Sequence, residues 1–171
     1  MNKPDDYTKM NNKEVMVKIK IMIAYRKLLK NDSHLLEVDA NERSITHRFA
    51  IYLEDEFPNY NVDCEYNRNG LETKRLNLLK KEICSDDTNG VTVYPDIIIH
   101  HRGTKDNFIV IEAKKTTTNN NNNDKEKLEA YKNDLKYRHA FFVNFPIKED
   151  FSNFNGNFDN YIQEINTRLK N

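Results

Sequence analysis

The chain has 171 residues, of which 32% are charged and 11% are aromatic. This length suits one domain, and nine tyrosines and nine phenylalanines exclude a wholly disordered chain, so we expect a polar tail over residues 1–12 and a single domain over residues 13–171. Because Lys plus Arg and Asp plus Glu number 27 each, net charge draws the chain neither to nucleic acid nor to a membrane, and any polyanion site must be a local patch.

The first part of the domain contains two helical patterns. Residues 13–30 are rich in helix formers and repeat apolar side chains at near-helical intervals, although the segment VKIKI within them could also form a strand. Residues 42–57 form the clearer helix, with Asn41 available as its N-cap and Pro58 directly after its end. Its apolar face is predicted to contain Ile45, Phe49, Leu53 and Phe57.

Strand patterns follow these helices. Residues 61–68 alternate apolar and polar side chains, as a half-buried strand does. Residues 69–90 form a mixed insert, with a short helix predicted over residues 76–83. Two apolar runs, over residues 94–101 and 108–114, are separated by the turn-like sequence RGTKDN and predict an antiparallel hairpin.

The remaining residues alternate between helix and strand. Residues 116–123 are low-complexity and predict a loop, residues 124–138 predict a helix, and residues 139–147 predict a buried strand. Residues 158–170 predict a closing helix. Its apolar face would contain Tyr161, Ile162, Ile165 and Leu169. This order of elements predicts an α/β fold in which helices flank a small mixed sheet, an α/β/α sandwich.

The predicted hairpin brings charged residues together at one end of the sheet. If Thr104 is the midpoint of its turn, Asp96 lies opposite Glu112, with Cβ atoms about 5 Å apart. Lys114, two residues beyond Glu112, points to the same face. Glu42 lies on the core-facing stripe of its helix and is expected to reach the same sheet end.

The pairing of Asp96 with Glu112 predicts a metal site. Two carboxylates this close repel each other unless a proton or a cation lies between them. Mg²⁺ is the expected occupant, with Mn²⁺ as a substitute, because Mg²⁺ prefers oxygen ligands and usually takes one or two carboxylates. The predicted metal ligands are Asp96, Glu112, Glu42 and the backbone carbonyl of Ala113.

These residues form a known motif: a Pro-Asp pair, a Glu-x-Lys at the end of the next strand and an earlier helix glutamate. They are Pro95-Asp96, Glu112-Ala113-Lys114 and Glu42. The arrangement resembles the PD-(D/E)xK nuclease superfamily of restriction-type and repair-type endonucleases, over roughly residues 40–145. The resemblance implies a restriction endonuclease-like core and Mg²⁺-dependent hydrolysis of phosphodiester bonds.

The resemblance also implies a role for each of four catalytic residues. Asp96 and Glu112 would bind the metal, Lys114 would orient or deprotonate the attacking water, and Glu42 would complete the metal shell. Physical chemistry agrees, because a cation at the two acids would neutralise charge on the scissile phosphate. Two structural alternatives stay open: a surface ion pair of Glu112 with Lys114, and a Glu42 favoured only by the helix dipole.

Three histidines lie in or near the predicted site elements. His100 and His101 cannot chelate one ion together, because adjacent strand residues point to opposite faces. His100 shares the face of Asp96 and is a candidate substrate contact, whereas His101 is expected to be exposed. His47 shares no obvious face with Glu42 and is expected to be a surface residue.

Basic residues flank the proposed site, where a phosphate backbone would need cations. The predicted nucleic-acid-binding residues are Arg68, Lys74, Arg75, Lys115 and Lys125. Tyr66, Tyr94 and Tyr131 could stack on bases, although a buried tyrosine is the commoner outcome.

The two cysteines, Cys64 and Cys84, have no CxxC spacing, and no stretch resembles a signal peptide or a membrane span, so a reducing cytoplasm is expected. Together with the cytoplasmic expectation, the resemblance implies a metal-dependent endonuclease acting on DNA rather than RNA, in phage defence, mobile elements or repair. A homodimer is expected if duplex cleavage uses two active sites. The alternatives are a catalytically silent module that binds nucleic acid or protein, and a protein active only within a larger defence complex.

Overall fold

The structure is a computed structural model that describes residues 7–69, 72–73, 75–76, 91–118 and 123–165. Its helices are Tyr7–Asn31 (α1), Ser33–Glu37 (α2), Glu42–Glu56 (α3), Asn123–Leu135 (α4) and Glu149–Ser152 (α5), with a 3₁₀ turn at Phe158–Asn160. Its strands are Asn61–Cys64 (β1), Arg68–Asn69 (β2), Glu72–Thr73 (β3), Arg75–Leu76 (β4), Val91–Thr92 (β5), Ile97–His100 (β6), Asn107–Lys115 (β7), His139–Phe145 (β8) and Ile162–Glu164 (β9).

Five of these strands form one mixed sheet in the order β1-β6-β7-β8-β9. β7 and β8 run parallel, with α4 as the crossover that a parallel connection requires, and the other neighbours are antiparallel. β2–β3 and β4–β5 form separate two-stranded ribbons. The predicted α/β class, with a mixed sheet packed against helices, is confirmed.

The sheet packs against helices through alternate residues of its strands. Ile109 and Ile111 of β7 belong to a core that includes apolar residues of α1 and α3. Val110 belongs to a second core that includes Leu128 and Tyr131 of α4. Val110 and the next even-numbered residue, Glu112, therefore lie on the α4 face of the sheet, whereas Phe108, beyond the β-bulge, packs against the first core.

The two predicted N-terminal helices are confirmed, with different bounds. α1 begins at Tyr7, so it extends into the predicted tail; no Gly or Pro interrupts the sequence between Tyr7 and Asn31. α3 begins directly after Asn41, whose side chain accepts a hydrogen bond of 2.8 Å from the Ser44 amide and so acts as the predicted cap. The short helix α2 was not predicted.

The predicted closing helix is wrong over its described part. Residues 158–165 contain the 3₁₀ turn and β9, which pairs with β8. Ile162 is fully buried in this arrangement, and the Ile165 amide donates to the Ala140 carbonyl. Pairing with the open edge of β8 therefore outweighs helical propensity; Leu169 lies outside the described residues.

Two further predictions concern the insert before the hairpin. The strand predicted over residues 61–68 is shorter, because β1 ends at Cys64 and Glu65 adopts a left-handed backbone conformation with φ of 50°. The helix predicted over residues 76–83 lies outside the described residues, apart from Leu76 in β4.

Within the described part of the chain, no helix is long and apolar enough to span a bilayer.

Candidate active site

The hairpin has the predicted register. Ile97 lies opposite Ile111, so the next pair outward is Asp96 and Glu112. The register shifts only nearer the turn, where Phe108 is an extra residue on β7. The two acids therefore lie at the end of the hairpin away from its turn.

Asp96 takes the place of a backbone partner for β7. Its Oδ2 atom accepts a 2.8 Å hydrogen bond from the Ala113 amide. Continuing the register places Pro95 opposite Ala113, and proline has no N–H to donate to the Ala113 carbonyl. Because the N–H and C=O of one strand residue point to the same side, the Ala113 carbonyl is directed toward the Asp96 edge.

Glu112 is a buried carboxylate, with 1% of its surface exposed. Its Oε2 atom lies 2.9 Å from Nζ of Lys127 on α4. Among the described residues, its Oε1 atom and the hydroxyl of Tyr131 are both buried and make no hydrogen bond of regular geometry. The Tyr131 hydroxyl nevertheless interacts with Glu112 and lowers its pKa. A carboxylate oxygen accepts more than one partner, so Oε1 can take a cation or a proton beside this hydroxyl.

Burial makes both acids harder to ionise, and the Asp96 charge adds to this effect at Glu112. Burial raises the pKa of Glu112 to about 7, with the Asp96 charge adding to the increase and the Lys127 ammonium opposing it. Burial also raises the pKa of Asp96, and the hydrogen bond from Ala113 partly offsets this effect. This is the electrostatic situation expected where a cation or a proton is shared.

Lys114 and Glu42 meet at the same end of the sheet, as predicted. Lys114 Nζ lies 3.3 Å from Glu42 Oε1, and the Lys115 amide donates to Glu42 Oε2 over 3.2 Å. Burial lowers the pKa of Lys114, but the charges of Asp96, Glu42 and Asp124 outweigh it, so this pKa is raised. Lys114 is therefore an ammonium group at neutral pH.

The donor set fits a cation held by two carboxylates, and it does not form a larger cage. Within the described part of the chain, no three His, Cys, Asp or Glu side chains are gathered closely enough to hold a metal together. Glu42 is engaged by Lys114 and Lys115, so the predicted set of three acids is not assembled. Asp96, the Oε1 atom of Glu112 and the Ala113 carbonyl are hard oxygen donors of the kind that Mg²⁺ takes alongside water.

A cavity of about 220 Å³ lies beside Asp96, between α3 and the end of β1. Its lining includes Glu42, Arg43, His47, Cys64, Glu65 and Asp96. The cavity gives a solvent-accessible approach to Asp96, whereas Glu112 is not among its lining residues.

The predicted nucleic-acid-binding residues are placed unequally. Arg68 and Lys125 are exposed, and Lys115 is not a free cation, because its Nζ lies 2.7 Å from Asp39 Oδ1. Arg75 lies in β4, while Lys74 lies outside the described residues.

The tyrosines also differ from one another. Tyr94 is 54% exposed and Tyr66 packs against the His100 ring at 4.9 Å. Tyr131 is fully buried, so stacking of this side chain on a base is excluded and the structural alternative is confirmed.

The expectation for His100 is corrected, and that of a surface position for His47 is confirmed. His100 is 2% exposed and its Nε2 lies 2.9 Å from Asp63 Oδ2, so it is a core residue and not a substrate contact. His47 is on the surface, but it lines the same cavity as Glu42, one helical turn and one residue further along α3. His101 is partly exposed and bonded to Asp106 in the turn.

Sequence reasoning missed the specific role of Lys127. Lys127 and Tyr131 are four positions apart on α4 and so lie on the same face of this helix. A lysine on the buried side of an amphipathic helix, facing a strand that contains a glutamate, was the available signal. The residues lining the cavity with Asp96 had no such signal, because β1 and α3 meet only in the tertiary fold.

A scan against protein-family models, a search of curated proteins and a search of solved structures each give no match.

Proposed function

We propose that this protein is a Mg²⁺-dependent nuclease with a restriction endonuclease-like core that hydrolyses phosphodiester bonds. The observation that carries the proposal is the buried Glu112 carboxylate, set in register with Asp96 at the end of the hairpin. A purely structural ion pair would not need a second acid beside it. The resemblance in motif supplies the reaction class, and DNA is the preferred substrate on that basis.

Asp96, Glu112 and the Ala113 carbonyl would hold the cation. When bound, the cation would supply Lewis-acid chemistry, neutralising charge on the phosphate and making water more acidic. Binding would also relieve the repulsion that raises the pKa of Glu112.

Lys114 would act as a charged donor. Because its pKa is raised, it would enter the reaction as an ammonium group that binds the scissile phosphate or orients the attacking water. Glu42 would position Lys114 through their 3.3 Å contact. Removal of a proton from water by Lys114 would first require loss of its own proton, which the surrounding acids oppose.

The test is cleavage of plasmid, linear duplex and single-stranded DNA, and of RNA, in Mg²⁺ or Mn²⁺. Asp96→Ala and Lys114→Ala are expected to lower the rate by about a hundredfold or more. Lys105→Ala is the matched control, because it removes an exposed lysine at the opposite, turn end of the hairpin. Equal residual cleavage by wild type and both site variants would identify a contaminant and refute the proposal.

A second candidate is a catalytically silent module of the same fold that binds nucleic acid or protein. The observation that favours it is the Lys127 ammonium on Glu112, which neutralises one of the two acids without a metal. Titration with Mn²⁺ separates the candidates. A nuclease should bind the ion and lose it in Glu112→Gln, whereas a silent module has no need to bind it.

A further inference from the structure

The cavity beside Asp96 has an ion pair in its wall. Arg43 Nε lies 2.8 Å from Glu65 Oε1. Arg43 directly follows Glu42 on α3, and the Glu65 amide donates to the Asp96 carbonyl over 3.2 Å. Both members of the pair are therefore attached through the backbone to residues of the candidate active site.

Glu65 is held in an unfavourable backbone conformation. Its φ of 50° lies in the left-handed region, which L-residues other than Gly, Asn and Asp seldom adopt. Such residues cluster at ligand sites, where the surrounding contacts maintain them. Here the hydrogen bond from the Glu65 amide to the Asp96 carbonyl is a contact of that kind.

The ion pair is weak enough to exchange partners. The Arg43 side chain is 85% exposed and that of Glu65 is 49% exposed, so water screens their attraction. A guanidinium group also binds phosphate through two parallel hydrogen bonds, in the same geometry that it uses for a carboxylate. An incoming phosphate can therefore replace Glu65 at little cost.

The charges around the cavity give Arg43 a specific role. Glu42, Glu65 and Asp96 all line the cavity, and their negative charges would repel a polyanion. Arg43 lines the same cavity, and its positive charge would attract one. We propose that Arg43 binds a backbone phosphate of a nucleic-acid strand beside the scissile one, and that Glu65 occupies Arg43 until that strand displaces it. This inference rests on the proposed nuclease function, because it requires a strand to enter this cavity.

The test is the affinity for a fluorescein-labelled oligodeoxythymidine strand, measured by anisotropy with Ca²⁺ in place of Mg²⁺. Arg43→Gln is expected to weaken binding about tenfold and to reduce the salt dependence by about one phosphate contact. Glu65→Gln is expected to tighten binding about two- to fivefold, because it releases Arg43. The double variant should bind like Arg43→Gln alone, since Glu65 acts through Arg43.

Asp55→Asn is the matched control. It removes an exposed acid paired with Lys27 at the far end of α3, about 20 Å from Glu42 along the helix axis. If Glu65→Gln binds no tighter than Asp55→Asn, or if its gain survives in the double variant, only net charge is acting and the inference is overturned.

The two proposals fail in different ways. Cleavage that depends on Asp96, together with wild-type binding by Arg43→Gln and Glu65→Gln, overturns the inference alone. Binding that depends on Arg43 without any cleavage overturns the nuclease proposal and leaves the phosphate site. Absence of both binding and cleavage overturns both.

Discussion

Substitution of Glu112 by Gln should stabilise the metal-free protein at alkaline pH. Folding raises the pKa of Glu112 from its ordinary value of 4.5 to about 7, chiefly through burial. The folded chain therefore holds the Glu112 proton more tightly than the unfolded chain does. Stability from this group is present in full below pH 4.5 and is lost as the pH rises through 7.

The size of the effect follows from the same values. Each pKa unit corresponds to about 1.4 kcal/mol, so ionised Glu112 costs up to about 3 kcal/mol at pH 8. Gln resembles the protonated acid and avoids this cost. The free energy of unfolding of Glu112→Gln should exceed that of wild type by up to about 3 kcal/mol at pH 8, and the difference should approach zero near pH 4.

The assay is urea unfolding in EDTA at several pH values, with Glu129→Gln as a control that removes an exposed glutamate from α4. Saturating Mn²⁺ should then stabilise wild type, by about 2.7 kcal/mol at a hundred times its Kd, and leave Glu112→Gln unchanged. A variant that is less stable than wild type at pH 8 without metal would refute the reasoning. It would show that the pair with Lys127 stabilises ionised Glu112 more than burial and Asp96 destabilise it.

Three other substitutions test the fold and the support of the site. Lys127→Met should lower the free energy of unfolding at pH 8 by about 1–3 kcal/mol, because it leaves the Glu112 charge buried and unpaired. Adding Glu112→Gln should recover the lost stability, and equilibrium unfolding measures both variants. Asn41→Ala should lower the free energy of unfolding by about 1 kcal/mol in the same assay, because it removes the N-cap of α3. An unchanged unfolding midpoint would contradict that role. Asp63→Asn should lower the free energy of unfolding by about 1–3 kcal/mol at pH 7, and by less at acidic pH. Burial raises the pKa of Asp63, but the hydrogen bonds and charges of Arg102 and His100 outweigh burial, so this pKa is lowered. The stabilisation is therefore present at neutral pH and is lost as the pH falls through the lowered pKa.

The hairpin could be predicted from sequence because its determinants are local. The turn sequence and two apolar runs permit one register, and that register places Asp96 opposite Glu112. The helix cap at Asn41 is also a local signal. The hairpin register and the helix cap, which depend only on neighbouring residues, were therefore confirmed.

The features that escaped prediction depend on contacts between distant segments. β9 exists because the edge of β8 is open to a partner strand, which the helical spacing of Tyr161, Ile162 and Ile165 does not reveal. Pairing of Lys115 with Asp39 depends on where the α2–α3 connection lies against β7. The same is true of the cavity, since α3 and β1 supply its lining from separate parts of the chain.

The most direct test of the central claim is a crystal soaked in Mn²⁺ and measured for anomalous scattering. We expect an anomalous peak within coordination distance of the Asp96 and Glu112 carboxylates and the Ala113 carbonyl, about 2 Å from each oxygen. We also expect Lys127 to have moved away from Glu112. A fully soaked crystal with no peak at this position, and with Lys127 still bonded to Glu112, would contradict the claim that the two acids share a cation.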